Sequence, residues 1–142
     1  MKKIKDPWIA KEKFDYTLKV KERLSYEKWV EYVDTHKDYF LWYEETEHGI
    51  DLLNNLHKVS HESKLKHLKT LNKMIAYAQF NVKKRSFEFL LSFNVDYGVI
   101  SSTFNKKISN QHIVRLIDLA KFLDAYVLNN GKQIIDETFL EL

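Results

Sequence analysis

Residues 74–105 constrain the fold more than any other stretch of this chain. Turns at Val82-Lys83-Lys84-Arg85 and Asp96-Tyr97-Gly98 divide the segment into three runs of β-favouring residues. The middle run sets Phe87, Phe89, Leu91 and Phe93 on one side and Glu88, Leu90, Ser92 and Asn94 on the other. That is the two-residue period of a strand with one buried face. Three strands at about 74–81, 86–94 and 98–105 therefore predict an antiparallel meander, with Phe87, Phe89 and Phe93 in the core. A sheet with one apolar face must bury it against another layer, so helices are required elsewhere.

The helices are supplied on both sides of the meander. Ser109 opens the clearest one, with Ile113, Leu116, Ile117, Ala120 and Leu123 at helical spacing. Ser25 caps another that carries Tyr26, Trp29, Val30 and Val33. Thr46 caps a helix expected to turn Ile50, Leu53 and Leu56 inward. Ser60 caps the next, with Leu65, Leu68 and Leu71 inward and Lys66, Lys69 and Lys73 outward. Lys13–Lys21 alternates strictly, with Phe14, Tyr16, Leu18 and Val20 on one face, and reads as a half-buried strand. Tyr39–Tyr43 reads as a strand buried on both faces. Ala125–Leu128 and Gln133–Ile135 flank Asn129-Asn130-Gly131, a hairpin signal because the tight turn needs positive φ at its central residues. The expected fold is one α+β domain over residues 1–142. It holds a single twisted, largely antiparallel sheet, made of N-terminal strands, the central meander and the C-terminal Asn-Gly hairpin. Helices pack on one face of that sheet.

Composition narrows the function classes. No apolar run approaches the ~20 residues that span a bilayer, so no membrane partner is expected. The start, Met1 to Pro7, lacks the apolar core of a secretory signal. There is no cysteine, hence no disulfide, thiolate zinc site or cysteine nucleophile, and the expected location is the cytoplasm. Only three glycines and one proline are present, and none forms a phosphate-binding or dinucleotide fingerprint. The element order loosely resembles that of the N-acetyltransferase superfamily, whose Gly-rich turn holds a pyrophosphate. Here the equivalent stretch, Asn105–His112, has no glycine, so the resemblance carries no motif and no cofactor is expected.

The net charge of +3 conceals segregated blocks. Residues 25–57 carry two Lys/Arg against eight Asp/Glu, and residues 58–73 carry five against one. Blocks of opposite sign match each other within a fold or across two subunits more readily than they serve a nucleic acid.

Four groups of residues could carry function. Glu44, Glu45, Glu47 and His48 crowd carboxylates and an imidazole at a strand-to-helix junction, which suits acid–base chemistry or simple complementation of a helix dipole. His57 and His61 have the i, i+4 spacing of zinc ligands, but Val59-Ser60 reads as a helix break between them. Lys64, Lys66, Lys69 and Lys73 form a basic helix face, the expected site of any nucleic-acid contact. Glu88, Ser92, Asn94, Ser101 and Thr103 are the polar side of the meander, left to meet solvent or a partner. The sequence favours a small, soluble, non-catalytic binding protein that engages another protein or forms a homodimer. The alternatives are a small enzyme or ligand-binding protein using Glu44–His48 and, behind it, nucleic-acid binding through Lys64–Lys73.

Overall fold

In the computed structural model, seven strands form one open antiparallel sheet: β1 (Pro7–Ala10), β2 (Phe40–Trp42), β3 (Ile75–Asn81), β4 (Ser86–Asn94), β5 (Val99–Phe104), β6 (Tyr126–Asn129) and β7 (Gln133–Ile135). Their order is β2-β3-β4-β5-β1-β6-β7. Four helices accompany them: α1 (Tyr26–Asp34), α2 (Glu47–Asn54), α3 (His61–Thr70) and α4 (Asn110–Phe122). The structure describes residues 4–140; Met1–Lys3, part of the stretch read for a secretory signal, lie outside the described residues, as do 141–142 and the side chains of Leu18 and Thr70. Among the described residues no helix is long and apolar enough to cross a membrane.

The expected α+β fold is present, and the meander is its centre. β3 pairs with β4 from Ile75↔Ser92 to Asn81↔Ser86, and β4 pairs with β5 from Phe89↔Phe104 to Asn94↔Val99. Alternation sends Ala76, Ala78, Phe89, Leu91, Phe93 and Ile100 to one face, where they meet Trp29, Tyr32 and Val33 of α1 and Ile113, Leu116, Leu119 and Ala120 of α4. Each fully buried large side chain in this layer contributes about 1.5–3 kcal/mol relative to exposure. The Asn-Gly turn also forms, with Asn130 at φ 55 and Gly131 at φ 79.

Two strand expectations are corrected. Lys13–Lys21 does not join the sheet; Thr17–Lys19 is a single 3-10 turn and Tyr16 is exposed. Phe14 and Val20 instead lie over the opposite face of the sheet, on Ala10, Val99 and Leu128. The strand that enters is Pro7–Ala10, paired on both sides, with β5 and β6. Its proline sits at the first strand position, where the missing N–H is tolerated. β2 is buried on one face only, through Phe40 and Trp42, because it is the edge strand and Leu41 is half-exposed.

The largest departure from strict alternation occurs at Gln79. This residue has φ 59, a left-handed conformation unusual for a side chain bearing Cβ. The ladder has rungs at Ala78↔Phe89 and Phe80↔Phe87 and none at Gln79. Its Oε1 lies 2.7 Å from Nε2 of the fully buried His112 on α4. The other ring nitrogen, Nδ1, accepts the Ser109 amide at 3.0 Å. Those partners assign a neutral imidazole with its proton on Nε2. Burial, reinforced by the nearby Lys106 charge, holds His112 below its ordinary pKa.

Candidate functional site

The α2–α3 hairpin connects β2 to β3, and among the described residues none from 43 to 73 belongs to either apolar core cluster. Its helices start where the caps predict. Thr46 Oγ1 accepts the Gly49 amide at 3.0 Å, and Ser60 Oγ accepts the Ser63 amide at 3.2 Å. The root is fastened tightly. Gly49 lies so close to the preceding turn that a Cβ there would stand 2.0 Å from the Tyr43 carbonyl oxygen. At the exit, Tyr26 Oη donates to the Asn72 carbonyl at 2.8 Å and Trp29 Nε1 to the Lys73 carbonyl at 2.8 Å.

Between these anchors the helices do not pack as their spacing predicts. Leu56 and Leu71 are buried, but Ile50, Leu53, Leu65 and Leu68 are 42–56% exposed. The expectation that all six turn inward is therefore corrected for four of them. Leu56, between the two helices, is covered, whereas these four side chains are left uncovered among the described residues. Five aliphatic side chains, counting Val59, are left exposed along this one segment of chain. The flanking charge is segregated by helix. Glu47 and Asp51 on α2, and Lys58 and Lys64 in and before α3, make no ion pair among the described residues.

The acidic cluster is dispersed by the fold. Glu44 Oε2 accepts the Lys73 amide at 2.8 Å, while Glu45 accepts the Trp42 amide at 3.0 Å and ion-pairs with Lys37. Glu47 sits in the first turn of α2, and His48 is exposed beside it. Two of these carboxylates thus hold backbone amides rather than converge on a reacting atom. His57 falls in a 3-10 turn and His61 begins α3 after the Ser60 cap, so the helix break separates them as expected. Among the described residues no three His, Asp or Glu side chains are grouped to hold a metal.

The lysines also part company. Lys73 lies beyond α3 at φ 54, its Nζ 3.4 Å from Asp34, which makes it a structural residue rather than part of a helix face. Lys69 pairs with Asp96 at 3.3 Å. Lys64 and Lys66 are exposed on α3. Lys69, Ser92, Asn94 and Ser101 line one shallow hollow of about 250 Å3, so two groups identified separately in the sequence meet there. Asn94 is occupied in its turn, accepting the amides of Asp96 and Tyr97 at 2.9 and 3.1 Å. Glu88 corrects the expectation of a solvent-facing residue: it is only 6% exposed, with Oε1 accepting from Asn81 Nδ2 at 2.6 Å. Thr103 is exposed at the far end of β5.

Beyond Gln79 the opposite face of the sheet becomes aromatic. Phe87 is not in the core. Its ring lies 4.9 Å from Tyr77 and 5.0 Å from Phe80, and Tyr77 lies 5.8 Å from Tyr43. The row ends at Phe80, 53% exposed, next to the Val82–Arg85 turn. Strict alternation assigned Phe87 inward; it instead pairs with Phe80, the residue after the left-handed Gln79, and no pattern of residue types announces that reversal. A larger cleft lies elsewhere again, between β5, the loop before α4 and residues 4–7. No protein-family profile, curated protein or solved structure matches this chain.

Proposed function

We propose that this chain is a non-catalytic interaction protein and that it pairs with a second copy of itself through the α2–α3 hairpin. The observation that carries this reading is the exposure of Ile50, Leu53, Leu65 and Leu68 on two helices that contribute nothing to either core. Helices of 8 and 10 residues are marginal without tertiary packing, so a second surface is the natural source of their missing stabilisation. The charge pattern favours self-pairing over an unrelated partner. In a two-fold contact, what α2 of one protomer offers α3 of its partner is also offered in return. Glu47 and Asp51 would then face Lys58 and Lys64 in both directions around an apolar centre. Light scattering coupled to size exclusion tests this. A dimer in the tens of micromolar that becomes a monomer in Leu65→Asp supports the reading, and a wild-type monomer at the highest soluble concentration overturns it.

A second reading rests on the aromatic row. Tyr43, Tyr77, Phe87 and Phe80 on an open sheet face, beside Lys83, Lys84 and Arg85, suit the stacking and charge that single-stranded nucleic acid requires. Salt-dependent binding of a labelled oligonucleotide that is lost in Phe80→Ala supports it; binding that survives Phe80→Ala removes the row from consideration.

A further inference from the structure

A cleft among the described residues has a chemistry that neither reading above uses. It is a cleft of about 1080 Å3 between the end of β5, the 105–109 loop, the start of α4 and residues 4–7, closed at one side by Phe139. Two kinds of surface line it. Phe104, Ile108, Ile113 and Phe139 supply an apolar wall that is continuous with the main core. Lys5, Lys106 and Lys107 stand on its rim, and none of the three has an ion-pair partner among the described residues. Among the described residues no aspartate or glutamate lines the cleft. Ser102, whose hydroxyl donates to the Pro7 carbonyl at 2.5 Å, and exposed Thr103 complete the polar side.

We propose that this cleft binds an amphipathic anion, an apolar chain or ring system carrying one carboxylate or phosphate head. The apolar wall would take the body of such a molecule, and the three lysines would take its head. The two halves of the site demand different parts of one ligand. A neutral apolar molecule would leave three uncompensated ammonium groups beside it, and a small inorganic anion would leave the apolar wall in water. The volume is of the size that accommodates a drug-sized molecule. The fully buried His112 is a bystander to this recognition; its two ring nitrogens are already engaged by Ser109 and Gln79. The cleft lies at the opposite end of β5 from Asp96 and the hairpin root, so the site is independent of self-pairing.

Isothermal titration of the full chain with decanoate, decyl phosphate, decanol and inorganic phosphate, each below its micellar concentration, tests the proposal. The expected result is binding of decanoate or decyl phosphate at least ten-fold tighter than of decanol or inorganic phosphate; which head binds better distinguishes a carboxylate ligand from a phosphate one. Lys106→Glu with Lys107→Glu, both exposed and without an ion pair among the described residues, should weaken that binding at least ten-fold while near-ultraviolet circular dichroism is unchanged. Ile108→Asp, on the apolar wall, should weaken it as well. Failure of both amphiphiles to bind overturns the proposal, as does equal binding of decanol or binding indifferent to the lysine reversals.

Discussion

Replacing Gln79 by alanine and by glycine separates two effects that the fold superimposes on one residue. Both substitutions remove the amide whose Oε1 sits 2.7 Å from His112 Nε2. His112 is fully buried, so its Nε2–H is left without a partner at a cost of about 1–3 kcal/mol. The two variants differ in the backbone. At an ordinary strand position alanine is more stable than glycine by roughly 0.5–1 kcal/mol, because glycine has more conformational freedom to lose. At φ 59 a Cβ costs about 1–2 kcal/mol, which glycine avoids. The strain term is the larger, so the usual order reverses. Gln79→Gly should be the more stable of the two by roughly 0.5–1 kcal/mol, while both fall below the wild type. Urea denaturation followed by tryptophan fluorescence reads this directly, provided the slope of the transition is shared by all three proteins. If Gln79→Ala equals or exceeds Gln79→Gly, residue 79 is not left-handed, and the route by which Phe87 reaches the open face is wrong. If both variants match the wild type, the Gln79–His112 bond contributes nothing to stability.

Gly49→Ala should destabilise the root of α2 by about 1–3 kcal/mol, although the same change in an exposed helix interior normally stabilises, because its Cβ would meet the Tyr43 carbonyl oxygen; hydrogen exchange of the α2 amides measures it, and slower exchange would refute the close approach. His112, whose pKa is lowered in the folded protein by burial and then by Lys106, binds fewer protons folded than unfolded. Its contribution is therefore complete above the unfolded value of about 6.5 and is lost as pH falls below it, by up to about 1.4 kcal/mol per pH unit. Urea midpoints between pH 7 and 5.5 should show that slope, and His112→Gln should flatten it. Leu91→Ala, in the centre of the meander, should cost about 2–5 kcal/mol. Leu65→Ala, measured at a dilution where the chain is monomeric, should change stability by less than about 0.5 kcal/mol; equal losses at the two sites would mean that Leu65 is core after all.

The elements that the sequence discloses are those whose signals are local. The meander, α1, α4, the break at Val59-Ser60 and the Asn-Gly turn all follow from periodicity, caps and turn residues within a dozen positions of one another. What escapes is long-range or conformational. Pro7–Ala10 is too short to show a period, and its strand character comes from β5 and β6, more than ninety residues away. Lys13–Lys21 has a strand's alternation without a strand's hydrogen bonds, since alternation identifies side chains that can be buried together and says nothing about whether a ladder edge is free. Glu44 and Glu45 were visible as an acidic cluster, but their amide partners, Lys73 and Trp42, depend on where the chain returns. The apolar cleft with its three lysines draws on residues 4–7, 102–113 and 139, and no single stretch of sequence contains its pattern.

The hairpin is a different kind of discrepancy. Ile50, Leu53, Leu65 and Leu68 have the spacing of buried helix residues, and the helices form where that spacing predicts. The local rule holds, but nothing in the described chain covers these four side chains. Natural sequences keep local pattern and global fold in agreement, and exceptions concentrate where function imposes them. The charge blocks lead to the same place. Three of the eight acids in the acidic block are matched internally, Asp34 by Lys73, Glu45 by Lys37 and Glu44 by a backbone amide. Of the residues with no ion pair among those described, Glu27, Glu31 and Asp38 lie in or just after α1, and Glu47 and Asp51 lie on α2, close in sequence to Lys58 and Lys64. The proposed self-pairing would use the exposed aliphatic side chains of α2 and α3 together with Glu47 and Asp51 against Lys58 and Lys64.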